Sequence, residues 1–159
     1  MVAVATQAKT EEAAAWLPAL HRACLRCLCE AATGCDARIG CVKGYCGPFK
    51  VSRLYWMEAG NITLPNDDPE RAGAYEDCAR QYMCSSRLVT SYMSKLKKDC
   101  NGDGLINCDD FALIHFNGGY SCEQPLNQSK AGQLYAARYE RCRPKDDDPD
   151  PLGRTVLSK

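Results

Sequence analysis

Apolar residues recur at helical spacing in several stretches of the chain, and turn-forming residues interrupt them. Leu20, Cys24, Cys27, Leu28 and Ala31 fall on one helical face. Pro18 suits a helix start and Gly34 a C-terminal stop, so the first helix is expected over Pro18 to Ala32. From Ile39 to Met57 the pattern changes. Gly40, Gly44, Gly47 and Pro48 punctuate it, while Phe49, Val51, Leu54, Tyr55 and Trp56 add strand-forming and aromatic residues. A small hairpin or irregular β segment leading into a short helical turn is expected there. Residues 60–69, GNITLPNDDP, read as a loop. Helices are expected at 70–82 and 84–98, the second presenting Leu88, Val89, Tyr92, Met93 and Leu96 on its apolar face. A polar loop at 99–108 precedes a short helix, Asp109–Phe116, stopped by Gly118-Gly119. A last helix, Ser129–Cys142, follows from the spacing of Leu134, Ala137, Arg138 and Arg141. Residues 1–17 are expected to be a flexible segment, 18–142 the domain, and 143–159 a disordered tail without a buriable pattern.

With 159 residues the chain is long enough for one core. Its composition is ordinary except for cysteine. Twelve of them, at Cys24, Cys27, Cys29, Cys35, Cys41, Cys46, Cys78, Cys84, Cys100, Cys108, Cys122 and Cys142, imply a disulfide framework and an oxidising, extracellular compartment. Zinc is disfavoured: Cys24-x-x-Cys27 has no matching second pair, and only His21 and His115 supplement it. Spacing leaves the overall pairing open, although Cys100 and Cys108, within one loop, are expected to bridge. The sequons Asn61-Ile62-Thr63 and Asn127-Gln128-Ser129 agree with secretion and glycosylation. Residues 1–6 are too short and too neutral for a signal-peptide core, so the sequence is expected to begin after one. No segment is long enough to span a bilayer, and a formal net charge of +0 gives no basic field for nucleic acid.

Residues 99–110, D-C-N-G-D-G-L-I-N-C-D-D, fit a twelve-residue calcium loop. Asp99, Asn101 and Asp103 take positions 1, 3 and 5. Gly104 takes the sharp turn at 6, the Leu105 carbonyl position 7, Ile106 the apolar position 8, Asn107 position 9 and Asp110 position 12. Position 12 is Asp rather than the longer Glu, and the loop is single. A weak structural Ca2+ is therefore the expected cofactor, beside the plainer reading of an Asn/Asp/Gly-rich turn.

The stretches CLRCLCEAATGC (24–35), CGPFKVSRLYW (46–56), SYMSKL (91–96) and DFALIHFNGGYSC (110–122) resemble the invertebrate-type lysozyme, or destabilase, family. The resemblance runs from Cys24 to Cys142 and implies an α+β, predominantly α-helical, lysozyme-like fold with a small β hairpin and a cleft. It also implies muramidase chemistry, which needs a protonated acid and an ionised carboxylate. Active members carry the acid as a Glu just before Ser-Gly-Cys in the first helix; the matching residue here is Ala32. The second carboxylate lies between the cysteines matching Cys41 and Cys46, where this chain has only Val42-Lys43-Gly44-Tyr45. Glu30, Asp36 and Glu58 are the fallback acids. Glu30 lies about 200° around the helix from Ala32 and should face away. The isopeptide-cleaving chemistry linked to some members is weakened too. Tyr45 replaces the expected serine and Ser52 the expected lysine, while His115 remains, with Phe116 inserted before Asn117.

Tyr45, Phe49, Tyr55 and Trp56 are candidates for a sugar-stacking surface, although aromatics near a hairpin more often build core. The expected function is a secreted, non-catalytic module that binds glycan or peptidoglycan fragments in an immune setting. The alternatives are a muramidase with relocated carboxylates and a structural domain with a protein partner.

Overall fold

The computed structural model describes residues 19–145. The segment expected to be flexible at 1–17, Pro18 itself and residues 146–159 lie outside them. The first helix starts later than the expected Pro18, because residues 19–21 form a turn and the cap. Helix α1, Arg22–Thr33, begins where His21 turns extended and its Nδ1 accepts the Cys24 amide at 3.2 Å. It stops at Gly34, which adopts φ 69°. Three two-residue strands follow: β1 Cys41–Val42, β2 Tyr45–Cys46 and β3 Val51–Ser52. They pair antiparallel in the order β1-β2-β3, with Cys41 opposite Cys46 and Tyr45 opposite Ser52. The expected hairpin thus gains a third strand. Its tight turn is Lys43-Gly44, both at positive φ (51° and 82°), as two-residue hairpin loops require. At Gly47 a Cβ would overlap the Ala79 carbonyl, so only glycine lets the sheet approach the helix beyond it.

Helix α2, Arg53–Ala59, is capped by Ser52, whose Oγ accepts the Tyr55 amide at 3.1 Å. Helix α3 is Ala74–Arg80 and α4 Tyr82–Leu96. The expected start of α3 at residue 70 comes too early. Arg71 forms a fork with Asp67 (2.7 and 2.9 Å) that holds 67–73 as turns. Helix α5, Cys108–Asn117, has a capping box of Asn107 and Asp110. A 3-10 turn at Leu126–Gln128 leads into α6, Lys130–Cys142, with Ser129 as N-cap.

The core is continuous. The expected apolar stripe of α1 is buried throughout, as are Leu88, Val89, Tyr92 and Met93 of α4, around the fully enclosed Phe49 and Phe111. The last helix corrects the expectation: Leu134 is 50% exposed, and α6 buries Gly132, Tyr135 and Tyr139 instead. Those tyrosines enter the core because their hydroxyls find acceptors, Ala112 O at 2.9 Å and Asp109 Oδ1 at 2.6 Å. Arg143, expected in the loose tail, is held by the same Asp109 carboxylate at 2.8 Å.

All twelve cysteines pair: Cys24–Cys108, Cys27–Cys142, Cys29–Cys35, Cys41–Cys46, Cys78–Cys84 and Cys100–Cys122. The expected Cys100–Cys108 bridge is therefore wrong. Cys108 opens α5 on the face turned toward α1, while Cys100 reaches the segment after α5. The bridges differ in leverage, because a longer closed loop restricts the unfolded chain more. Cys27–Cys142 spans 115 residues and Cys41–Cys46 only 5. Replacing both Cys27 and Cys142 by Ala should cost about 5 kcal/mol, against about 2 kcal/mol for Cys41 and Cys46. Urea denaturation checks this; equal losses would contradict the ranking.

Candidate functional site

Between the C-terminal end of α1, the small sheet and α6 lies a cavity of about 340 Å³. Ala31 and Ala32 form its α1 wall. Tyr45, Phe49 and Lys50 come from the sheet region, His115 and Phe116 from α5, and Leu134, Tyr135 and Arg138 from α6. A second cavity of about 310 Å³ shares Tyr45, Lys50, His115 and Phe116 with it and runs on along Ser52, Tyr55, Glu58 and Tyr120. Together they make one groove across the face that the sheet and α5 present. Its first half has a largely apolar lining without a carboxylate, and its second half carries one, Glu58.

His115 ties the shared wall together. One ring nitrogen, Nε2, lies 2.7 Å from the Phe49 carbonyl, which can only accept, so Nε2 carries the hydrogen. In the neutral ring Nδ1 then accepts from the Tyr55 hydroxyl at 3.0 Å. Burial pushes the imidazole down to about 4, outweighing the Phe49 carbonyl, so it is neutral at physiological pH. Burial likewise raises the Tyr55 phenol well above its ordinary value, with Tyr92, stacked on it at 3.7 Å between ring centres, adding to the effect. Both imidazole nitrogens are thus engaged in structure. Ser52 is occupied as the cap of α2, and no serine hydroxyl is recorded against His115 among the described residues.

The fallback acids separate. Glu30 forms an ion pair with Arg26 at 3.0 Å and lines neither cavity, as its helical phase predicts. Asp36 turns its Oδ1 to the Arg38 amide at 3.0 Å and also lines neither. Glu58 alone reaches the groove, beside the Tyr92 hydroxyl, which also accepts the Gly119 amide at 3.1 Å. Of the candidate stacking aromatics, Phe49, Tyr55 and Trp56 are core, and only Tyr45 is open, at 48% exposure. The sequence reading missed Phe116 and Tyr120, which line the groove and are exposed. Their signal was weak: Phe116 is the last apolar residue before the helix end at Asn117, and Tyr120 follows the glycine pair that stops the helix.

The loop 99–110 closes around its own acids. Asp99 accepts from the amides of Gly102, Asp103 and Gly104 at 2.9, 3.2 and 2.8 Å, and Asp103 from Leu105 at 2.9 Å. Carboxylate oxygens of Asp99, Asp103 and Asp110 lie within 4.8 Å of one another. Asp110 is wholly buried and accepts from Cys100, Asn101 and Asn107 amides at 2.8, 3.3 and 2.9 Å. Asn107 Oδ1 takes the Asp109 amide at 3.0 Å, and Ile106 is 44% exposed rather than packed. Asn61 and Asn127 of the two sequons are both exposed.

A disulfide-stapled α+β domain whose groove is walled by a buried helix and a three-stranded sheet belongs to the lysozyme-like class. Two inhibitor-bound structures of the Meretrix lusoria lysozyme share the fold: one in complex with Aeromonas hydrophila PliI (TM-score 0.55, 24% identity, 76% of this chain and 88% of that one) and another at TM-score 0.54 and 25% identity over the same shares. The sequence profile of the destabilase family matches residues 21–142. Lysozyme from Magallana gigas is 34% identical over 111 residues, 67% of this chain and 72% of its own. Lysozyme 1 of Crassostrea virginica is 33% identical over 105 residues, 62% of this chain, and the match spans half its length. The chain belongs to the destabilase, or invertebrate-type lysozyme, family. No helix among the described residues is long and apolar enough to cross a membrane.

The His115 arrangement predicts a stability profile. The unfolded imidazole titrates near 6.5 and the folded one near 4, so on acidification the unfolded chain takes up the proton first. Stability should be level above pH 6.5 as far as this group is concerned and fall between 6.5 and 4. His115→Gln should flatten that slope in denaturation measured across the range. An unchanged slope would mean that the ring protonates freely in the folded state.

Proposed function

We propose that this domain is a secreted lysozyme-like protein that holds glycan in its groove without hydrolysing it. The observation that carries the reading is the chemistry of the first cavity. At Ala32, where the family resemblance assigns the proton donor, a methyl group faces a wall without any carboxylate. The turn Lys43-Gly44 leaves no room in β1–β2 for the second acid. General acid catalysis contributes about 10²–10⁴-fold, and a wall without a carboxylate offers nothing to a developing oxocarbenium ion. What remains suits binding. Exposed Tyr45, Phe116 and Tyr120 offer ring faces to sugars, and the apolar lining offers room for acyl methyl groups. The twelve paired cysteines support secretion.

Glu58 favours one second reading, a muramidase with a relocated acid, because it alone of the three fallback carboxylates lines the groove. Turbidity of a peptidoglycan suspension separates the two. No clearing is expected at protein concentrations a hundredfold above those at which an active relative, run as control, clears the suspension. Clearing that Glu58→Gln abolishes would establish the second reading instead.

The loop 99–110 is proposed to take a weak structural Ca2+ through Asp99, Asn101, Asp103 and the Leu105 carbonyl, with Asp110 and Asn107 serving chiefly to close it. With a dissociation constant of about 10⁻⁴–10⁻³ M, 10 mM calcium should add about 1–3 kcal/mol of stability. Thermal melts in calcium and in EDTA should therefore differ by a few degrees, and the difference should vanish in Asp99→Asn/Asp103→Asn. Identical melts for the unaltered protein would contradict the proposal.

A further inference from the structure

The groove's first cavity is not only free of acids; it carries two cations. Lys50 enters from the turn before β3 and Arg138 from α6, and both line the space beside Ala32. Several of the other arginines are occupied. Arg26 pairs with Glu30, Arg71 with Asp67 and Asp77, Arg143 with Asp109, and Arg53 lies over the rings of Trp56 and Tyr75. Lys50 and Arg138 form no ion pair among the described residues. The third basic side chain of the cavity, His115, is neutral above about pH 4 and has both nitrogens engaged. The charge of the site therefore comes from Lys50 and Arg138 alone. It is local, because the whole chain has a formal net charge of +0.

Lys50 is also held in an uncommon conformation. Its backbone sits at φ 54°, and its amide donates to the Gly47 carbonyl at 2.9 Å. A residue without a functional constraint would more often be Gly or Asn there. The turn sets the lysine at the rim of the cavity. Around the cations the walls are apolar: Ala31, Ala32, Phe116 and Leu134.

We propose that the cavity beside Ala32 is selective for acidic, N-acylated sugars, binding the carboxylate between Lys50 and Arg138 and the acyl methyl against the apolar wall. This deepens the glycan-binding reading and rests on it. A cavity that stabilises a sugar cation needs a carboxylate; this one has the opposite charge and suits a sugar that brings the carboxylate itself. Arg138 offers a planar fork to the acid and Lys50 a point charge. Neutral N-acetylated sugars would keep only the apolar and ring contacts.

Titration calorimetry at low salt tests the proposal with N-acetylmuramic acid, its methyl ester, N-acetylneuraminic acid, N-acetylglucosamine and butyrate. At least one acidic sugar should bind roughly tenfold tighter than the ester and N-acetylglucosamine, since a hydrogen bond to a charged partner outweighs a neutral one. Which of the two acids wins distinguishes a side-arm carboxylate from one on the ring. The preference should collapse to near unity in Lys50→Asn/Arg138→Gln, chosen because Asn accepts the left-handed backbone and Gln keeps the helix. Arg138→Lys should retain most of it. Raising salt should weaken the acid and leave the ester unchanged. Equal binding of acid, ester and neutral sugar would overturn the selectivity while leaving glycan binding intact. Butyrate binding as tightly as the sugar acids would overturn the sugar assignment. No binding of any sugar would remove the glycan reading and the proposal with it.

Discussion

The structure depends on the cross-linking of helix α1. Three of its residues, Cys24, Cys27 and Cys29, are bridged, to the start of α5, the end of α6 and the segment just after α1 itself. The first two bridges close loops of 84 and 115 residues, so they draw the start of α5 and the end of α6 onto a helix that is buried along the same stripe. The chain is long enough to bury one continuous core, and the cross-links add to it by restricting the unfolded ensemble. The groove inherits its geometry from this arrangement. Ala31 and Ala32 end the cross-linked helix, Phe116 sits on the helix tied at Cys108, and Arg138 lies one turn before Cys142.

The His115 network does for the other wall what the disulfides do for α1. A neutral imidazole links the Phe49 carbonyl to the Tyr55 hydroxyl, and Tyr55 stacks on Tyr92. The sheet region, α2, α4 and α5 thereby meet at one hydrogen-bonded point. Charge is kept out of that point and placed at the rim instead, on Lys50 and Arg138 in one half of the groove and on Glu58 in the other. This distribution is what supports the proposed holding of an acid-bearing ligand.

Much of the fold was legible in the sequence. The stripe from Leu20 to Ala31 and the stripe of α4 predicted their buried faces, and Gly34 and Ser129 marked helix ends, because periodicity and capping are local properties. The errors fell where long-range partners decide. Leu134 of α6 is outside and Tyr135 and Tyr139 inside, because two acceptors on α5 satisfy the hydroxyls; no local pattern reports that. Cys100 and Cys108 share a loop yet bridge to different elements, since pairing follows the three-dimensional approach of α1 and the segment after α5. At the site, the helical phase of Glu30 correctly turned it away. That Glu58 and Tyr120 share a groove 62 residues apart in sequence became visible only with the fold.

The central claim is that the groove binds sugar and leaves it intact. The most direct test incubates the isotope-labelled protein with a defined muropeptide oligosaccharide, following amide and side-chain NMR shifts together with the reducing ends released. The account predicts shifts that cluster on Tyr45, Lys50, Phe116 and Arg138, with no new reducing ends over days. Steady release of reducing ends, or shifts confined to residues away from the groove, would contradict it.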